Sequence, residues 1–416
     1  MVYSKLNCMQ LVRRKAKEKD LLQTAKKLIR ALPFFNSYLP PQLIVVLAVL
    51  TVWGILVAGL WPFHSPKNEV HWLANENGLQ FDHYGTILST GILERARSDG
   101  PSISIECWMA PASTWNTGTL IAFYSSLAAR QFSLYQRYTD LVLQRDIGDP
   151  HHQVSPVEMQ VHNVFRKKQA LITVTSDGRE TAVYVDGQLV TRSLWFGLSA
   201  DDLTGSLIVG TSALRGDSWP GRLRGLALYR SELSAAQVAQ HYEEWTQKGK
   251  PLATDNERVW ALYLFDEHAG RIVHDYAGSG GDLYIPEHFG VLHQIVLEPP
   301  WSEMRTQHSY VKNVLINVAG FVPLGLLWCA YFSSVRSIRW PAAATMILGF
   351  TVSFTIEILQ ASLPTRYSGV TDIITNTLGT CLGIVVYYAV ALPVARVVAA
   401  GQQAGSSGIS PSRKAQ

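Results

Sequence analysis

The sequence predicts a multi-domain membrane protein: an α-helical membrane bundle of four transmembrane helices with an all-β sandwich inserted after the first helix. Four segments are apolar over the roughly 20 residues that cross a hydrocarbon core of about 30 Å. The long polar segment between the first two has the alternating pattern of short β-strands. Polar residues also recur inside the last three apolar segments, where they usually face a protein interior or a polar cavity.

The first predicted span is an uncleaved anchor, since it lies too deep in the chain and is too long for a signal peptide. Residues 1–41 carry nine Lys and Arg against two acidic residues, so the positive-inside rule places this basic segment in the cytoplasm. Segment 63–300 is then extracytoplasmic, and 397–416, rich in Gly, Ser and Gln, is predicted to be a disordered cytoplasmic tail. The four predicted spans are 42–62, 311–333, 340–362 and 371–396.

The charges elsewhere in the chain agree in part with a topology in which both chain ends are cytoplasmic. The loop after the second span carries Arg336 and Arg339 on the cytoplasmic side, whereas Arg366 departs from the rule on the outer side. Leucines lie among the basic residues of 1–41. This segment therefore either sets the topology alone, which is the simpler interpretation, or also lies on anionic lipid as an amphipathic helix.

Between about 72 and 242, the polar segment shows short alternating strands broken by turn residues, as expected for a β-sandwich. Asp186-Gly187, between two apolar runs, predicts a hairpin with a type I′ turn. Ser234 and Gln237 form a capping box that predicts a helix start. Of the four cysteines only Cys107 lies in the exported segment, so no disulfide within that segment, zinc site or cofactor is expected.

These strands resemble the laminin G-like, concanavalin A-like jelly-roll sandwich. The resemblance rests on Ile103-SIECWM, Tyr184-VDG, Leu207-IVG and Trp219-PGRLRGLALYRSELS, in that order. It implies binding of carbohydrate or protein and also admits glucanases, but segment 63–300 lacks the E-x-D-x-x-E carboxylates of that group, which favours a binder. Segment 261–285 looks like an opening strand displaced behind the sandwich. It either completes the sheet out of order or forms a second, incomplete unit.

Three aromatic residues of the sandwich are candidates for stacking on sugar rings if they are exposed: Trp115, Trp195 and Tyr138. Any one of them is more often a core residue. Trp108, embedded in a strand-like run, is expected in the core.

Polar residues of the last three spans fall in pairs that share a helical face, three or four positions apart. By the predicted topology all three faces lie near the outer surface, so we expect them to converge beneath Arg366 and Ser368 of the connecting loop. Pro323 is expected to kink the second span. The pairs are Asn313 with Asn317, Glu357 with Gln360, and Asp372 with Asn376, and the glycines expected to allow close helix packing are Gly320, Gly325, Gly379 and Gly383.

The same polar residues resemble the VanZ-like family of small membrane proteins. The motifs are N-x3-N-x2-G-F-x-P-L-G followed by E-x2-Q-x5-R-x-S-x3-D-x3-N-x2-G, within a predicted VanZ-like membrane domain at 311–396. The resemblance implies a multi-pass protein of the bacterial cytoplasmic (inner) membrane, one member class being linked to glycopeptide resistance. The resemblance indicates where the protein acts rather than its mechanism.

Two hypotheses fit these residues. In the first, the protein is a membrane enzyme or carrier for a lipid-linked sugar or other envelope precursor: Glu357 is a base or proton carrier, Arg366 holds a phosphate and Asp372 assists. Hydrogen bonds to the head group would come from Asn313, Asn317, Gln360, Ser368 and Asn376.

In the second hypothesis, the protein is a non-enzymatic scaffold or sensor whose sandwich recognises envelope polysaccharide, and the polar groups only lock the helices together. The bilayer is a partner under both hypotheses, and neither needs a metal, a cofactor or nucleic acid. The sequence decides neither whether a reaction is catalysed nor the oligomeric state.

Overall fold

The computed structural model describes residues 40–96, 99–126, 130–147, 156–214, 216, 218–252, 257–306 and 310–406. Residues 1–39 and 407–416 lie outside this set, so the expectations for the basic segment and for the end of the tail stay predictions. The chain divides into two compact units. One contains the long helices, and the other consists of Pro62–Ser302 with Gln360–Ser368.

Four helices are long and apolar enough to cross a membrane, in agreement with the four predicted spans. The helices of the described residues are α1 (Pro41–Leu60), α2 (Ala235–Lys248), α3 (Pro300–Thr306), α4 (Tyr310–Ser334), α5 (Pro341–Gln360) and α6 (Val370–Ser406). The candidate spans lie in α1, α4, α5 and the first part of α6, through Ala389. Pro323 lies inside α4 without ending it.

The end of α6 corrects one expectation. The sequence predicts a helix that stops at 396 and a disordered tail from 397, but α6 continues to Ser406. The Ala and Gln residues of this stretch are good helix formers, and its two glycines are tolerated within the helix at a cost of about 1 kcal/mol each. The prediction of disorder is therefore wrong for residues 397–406.

Helices α4 and α6 approach each other at glycines. A Cβ on Gly379 or Gly383 would collide with a backbone carbonyl oxygen of α4, and one on Gly325 would collide with the backbone of α6. Small residues allow this closeness between membrane helices. Gly320 differs from the other three, because a Cβ there would have no heavy atom within 4 Å. The expectation of close packing is thus met by three of the four glycines and is wrong for Gly320.

We expect Gly383→Ala to destabilise the helical unit by about 1 to 3 kcal/mol, because the new methyl group must push two helix backbones apart. The matched control is Gly320→Ala, which adds the same atom in open space and should be neutral or slightly stabilising. Thermal unfolding of the purified protein in detergent measures both. Equal melting temperatures for the two variants would contradict this packing arrangement.

The other unit is a sandwich of two antiparallel eight-stranded sheets. One has the order β1-β2-β13-β4-β9-β10-β11 with β14 beside β13, and the other has the order β15-β16-β3-β12-β5-β6-β7-β8. The buried faces of both sheets form one core. The strands are β1 (Val70–Trp72), β2 (Leu79–Phe81), β3 (Ile87–Ser89), β4 (Ile103–Pro111), β5 (Thr117–Ser125), β6 (Arg130–Arg137), β7 (Asp140–Ile147), β8 (Val157–Val161), β9 (Ala170–Ser176), β10 (Thr181–Val185), β11 (Gln188–Ser193), β12 (Ser206–Val209), β13 (Gly221–Tyr229), β14 (Val259–Tyr263), β15 (Ile272–Val273) and β16 (Leu283–Tyr284).

Local signals in the sequence are confirmed. Asp186 and Gly187 have φ of 53° and 77° and join β10 to β11, as a type I′ hairpin requires. The Ser234 side chain accepts from the Gln237 amide at the start of α2. Segment 261–285 completes the sandwich out of order, because β14 pairs with β13 and β16 pairs with β3.

The chain enters and leaves the sandwich at the same place. The Asn68 amide donates to Glu287 O at 3.0 Å, and the Phe289 amide donates to Pro66 O at 2.9 Å. The Asn68 side chain adds a hydrogen bond to Pro286 O at 2.9 Å. The two ends of the inserted domain are therefore held side by side by backbone pairing.

A buried ionisable network holds α2 against the outer face of one sheet. Glu106 on β4 is fully buried and accepts from Tyr229 Oη at 2.8 Å and from Trp245 Nε1 at 2.9 Å. His241 Nδ1 lies 3.0 Å from the other Glu106 oxygen, and His241 Nε2 lies 3.4 Å from Glu257. Each hydrogen bond of this kind to a charged group contributes about 1.5 to 3 kcal/mol. The network fixes the position of α2.

Burial acts to lower the pKa of His241, but the hydrogen bond that His241 donates to Glu106 and the charges of Glu106, Glu257 and Glu244 outweigh burial and raise the pKa. The folded pKa therefore lies above the unfolded value of about 6.5. The stabilisation from this histidine is fully present below the unfolded pKa and is lost as pH rises through the folded pKa.

We therefore expect the melting temperature of the sandwich to fall as pH rises above about 6.5, and His241→Gln to lower it at acidic pH and to flatten this dependence. The control is His83→Gln, which removes an exposed histidine of the same unit and should leave the profile unchanged. The measurement is thermal unfolding of the full-length protein across pH. A profile unchanged by His241→Gln would refute the assigned role.

Candidate functional site

The start of α6 is capped by carboxylates from two other helices. The Gly369 amide donates to Glu357 Oε2 of α5 at 2.8 Å. The Thr371 amide donates to Glu303 Oε1 of α3 at 3.2 Å. Both carboxylates are buried. The first amides of a helix lack partners within the helix and attract negative charge, so acidic side chains are suited to this position.

Two amide side chains extend this group along α6. The side chain of Asn317 on α4 lies close to the Asp372 carboxylate. One turn further along, Asn376 Nδ2 donates to Ser353 Oγ of α5 at 2.9 Å. Members of all three predicted polar faces therefore meet around the start of α6. We call Glu303, Asn317, Glu357, Asp372 and Asn376 the acidic–amide cluster.

The cluster brings three carboxylates close together. Asp372 and Glu303 lie close enough to Glu357 to act on it electrostatically. Within the described part of the chain, neither Glu357 nor Asp372 forms an ion pair. An arrangement of this kind can hold a proton or a positively charged group, and a carboxylate in it can act as an acid or a base.

Two buried polar atoms beside the cluster are unsatisfied. Thr371 Oγ1 and Asn376 Oδ1 have no hydrogen-bond partner among the residues that the structure describes. Most buried polar atoms in proteins are hydrogen-bonded, so an exception calls for an explanation such as a bound water or ligand. Both atoms are on the first two turns of α6, next to the carboxylates.

The remaining predicted site residues are assigned to the other unit or have other contacts. Gln360, Arg366 and Ser368 belong to the sandwich unit. Ser368 is buried there, and its hydroxyl accepts from the Leu297 amide at 3.1 Å. Asn313, one turn before Asn317, is half-buried.

Arg366 lines a cavity of about 10 Å³ within the sandwich unit. This space is about what a single water molecule needs. A phosphate does not fit in this cavity. The cavity as it stands therefore lends no support to the expected phosphate contact.

Glu303 is the cluster residue that the sequence analysis missed. It lies on a seven-residue helix just before α4, between the predicted exported segment and the second predicted span. Its position in the first turn of this short helix was a weak signal. Glu303 and Thr371 are 68 positions apart in the chain, so local sequence patterns do not reveal their contact.

The aromatic candidates of the sandwich differ in how much of each side chain is exposed to solvent. Trp115 and Trp195 are 81% and 93% exposed, and Tyr138 is 46% exposed. Trp108 is partly buried and packs against Trp245 with ring centroids 6.2 Å apart, which agrees with its expected place in the core.

The fold and the cluster together define a class: a membrane protein with several candidate spans and an inserted lectin-like sandwich. Two family models match the chain. The VanZ/LLP1 model matches residues 260–392, and the model of the concanavalin A-like lectin/glucanases superfamily matches residues 89–239. The chain thus contains a VanZ-like domain and a concanavalin A-like domain, and both resemblances are confirmed. The VanZ/LLP1 match begins within β14, upstream of residue 311.

No curated protein matches the chain. Among solved structures, a heptameric SAP-like pentraxin from Limulus polyphemus is 14% identical, with 50% of this chain and 99% of the pentraxin covered and a TM-score of 0.29. The CBM40 of the Ruminococcus gnavus IT-sialidase, bound to α2,3-sialyllactose, is 12% identical, with 39% of this chain and 95% of that chain covered and a TM-score of 0.30. Similarity at this level does not transfer a ligand.

We expect Glu357→Gln to leave the fold intact, because glutamine keeps an oxygen that can accept from the Gly369 amide. Glu357→Leu has a similar volume but removes the acceptor, and it should cost about 1 to 2 kcal/mol, as other lost helix caps do. Thermal unfolding in detergent separates the two variants. If both unfolded at the wild-type temperature, the hydrogen bond to Gly369 would contribute nothing to stability.

Proposed function

We propose that this protein resides in the bacterial cytoplasmic membrane, where the acidic–amide cluster binds or processes the head group of an envelope lipid or lipid-linked sugar. The concanavalin A-like domain lies outside the cell and binds carbohydrate. The observation that carries the proposal is the meeting of three acidic side chains with two buried, unsatisfied polar atoms at the start of α6. A head group that carries hydroxyl, amide or amine groups would satisfy them.

In this proposal Glu357 is the acid, base or proton carrier. Its hydrogen bond to Gly369 uses Oε2, and none of the hydrogen bonds among the described residues uses Oε1. Asp372, close to Asn317, assists, and Asn376 offers Oδ1 to the ligand. Arg366 remains a predicted phosphate contact.

The charge and aromatic patterns support the proposed orientation. Exposed Trp61 and Phe63 follow α1, at the end that leads into the sandwich. Exposed Trp340 precedes α5, with Arg339 stacked 5.7 Å from its ring centroid. Tryptophan at both ends of membrane helices and arginine on the cytoplasmic side are the usual pattern. The sandwich is then extracytoplasmic, as are the start of α6 and the end of α5.

A non-enzymatic scaffold or sensor is the second candidate, and one observation favours it. Asn376 bonds Ser353 of the bundle itself, and Asn317 lies close to Asp372. Such bonds average about 0.6 kcal/mol in membranes, enough for a structural role. The VanZ-like resemblance extends either version of the proposal to a role in glycopeptide resistance.

The test is mass spectrometry of lipids that co-purify with the full-length protein. We expect an isoprenoid-phosphate or glycolipid to be enriched on the wild type and lost from Glu357→Gln and Asp372→Asn, because each variant removes one ionisable group of the cluster. The matched control is Glu243→Gln, which makes the same chemical change at an exposed position of α2 and should retain the lipid.

Bulk phospholipid alone, in equal amounts on all four proteins, would contradict binding by the cluster. Carbohydrate binding by the sandwich would then remain as the scaffold function.

A further inference from the structure

Two loops at one end of the sandwich present exposed aromatic side chains. Trp115 lies in the loop between β4 and β5, and Tyr138 lies at the tip of the β6–β7 hairpin. The Tyr138 amide donates to Asn116 O at 3.0 Å, so the two loops are in contact. Neither ring is needed by the core, since both are largely or half exposed.

A buried glutamine fixes these loops relative to each other. Gln136 Nε2 donates to Ser113 O at 2.9 Å and to Tyr138 O at 2.8 Å, one acceptor on each loop. Gln136 Oε1 accepts from Trp219 Nε1 at 2.7 Å, which ties the pair of loops to the core. Gln136 is fully buried and has three hydrogen bonds. The aromatic rings therefore project from preorganised backbone, which lowers the entropic cost of binding.

The backbone of this edge is held in uncommon conformations. Tyr138 and Asn163 have φ of 59° and 61°. The left-handed region is rare for a residue as bulky as tyrosine. Strained residues of this kind persist where the surroundings determine them, and they cluster at functional sites.

Hydrogen-bonding groups surround the hairpin tip. Asp140 accepts from the Asn163 amide at 2.8 Å and from Gln160 Nε2 at 2.7 Å, and it lies 2.9 Å from His162 Nδ1. Burial acts to raise the pKa of Asp140, but these hydrogen bonds outweigh burial, beginning with that of Asn163, and bring the pKa below its usual value. The His162 side chain remains 70% exposed.

We propose that this edge, formed by Trp115, Tyr138, Asp140 and His162, is a binding site for a pyranose oligosaccharide. The inference rests on the proposed function, in which the concanavalin A-like domain binds carbohydrate, and it names the surface. A pyranose ring with equatorial hydroxyls offers a flat C–H face to an aromatic ring and hydroxyls to the polar groups beside it. Sites for small ligands combine these two elements, apolar surface and a few fixed polar groups. All four residues lie within the region matched by the lectin/glucanase model.

The other exposed aromatic surface fits a sugar less well. The exposed side chain beside Trp195 is aliphatic Leu194. A buried side chain fixes this loop as well, since Ser176 Oγ accepts from the Leu198 amide at 3.0 Å. Such a patch is better suited to an apolar partner than to a sugar.

Trp195 is nevertheless a useful control because it lies at the opposite end of the sheet. It follows Ser193, whose row of strand partners runs through Thr181 and Ser176 to Ile103, the first residue of β4. Trp115 follows the last residue of this nine-residue strand. The two tryptophans are therefore separated by roughly 25 Å along the strand direction, at 3.3 Å per residue.

The experiment uses full-length protein in nanodiscs on an array of pyranose oligosaccharides that includes β1,4-linked glucose and N-acetylglucosamine oligomers. Bound glycans are then titrated by intrinsic fluorescence. We expect Trp115→Ala and Tyr138→Ala each to weaken binding at least about tenfold, equivalent to about 1.4 kcal/mol, and Trp195→Ala to leave it unchanged. Since all three side chains are exposed, we expect the variants to fold, and melting temperatures check this.

The outcomes are distinguishable. Wild-type affinity in both Trp115→Ala and Tyr138→Ala would overturn the assigned edge and leave carbohydrate binding by the domain in place, with loss in Trp195→Ala alone identifying the other surface. Absence of binding to every oligosaccharide on the array would overturn both this inference and the carbohydrate part of the proposed function. The lipid experiment on Glu357 and Asp372 is independent of both results.

Discussion

The helical unit depends on how the first amides of α6 are satisfied. Glu357 of α5 and Glu303 of α3 each accept one of these amides. A Cβ on Gly369 would displace the Glu303 carboxylate. Where water is scarce, an amide without a partner costs several kcal/mol. These two hydrogen bonds therefore join α3 and α5 to the start of α6.

This constraint also explains why a structural role and a chemical role can coincide. A carboxylate has two oxygens, and capping occupies one of them, as it does in Glu357. Neighbouring carboxylates repel one another unless a proton or a ligand lies between them. In the proposed function, a proton or a ligand among these carboxylates would relieve the repulsion, and a ligand would also satisfy the oxygens of Thr371 and Asn376.

Sequence patterns were sufficient wherever the interaction is local. Hydropathy located four spans, the i, i+4 spacing of Asp372 and Asn376 placed both in the cluster, and Asp186-Gly187 located a hairpin. Patterns failed where partners are distant in the chain: Glu303 with Thr371, Glu106 with His241, and β14 with β13. Glycine spacing was also insufficient, because Gly320 has the residue type required but lies on the exposed side of α4.

The insertion of a large domain between two membrane helices raises a physical problem, because α1 and α4 must still be able to pack together. Side chains of α1, among them Ile55 and Leu56, contact Phe321 of α4 in one apolar cluster. A domain whose ends were far apart would force these helices to separate. The sandwich avoids this because Asn68 and Glu287, near its two ends, are joined by backbone hydrogen bonding. The late strands β15 and β16 supply that closure, since they bring the chain back to β3 beside its entry. The out-of-order segment therefore returns the chain to the place where it entered the sandwich.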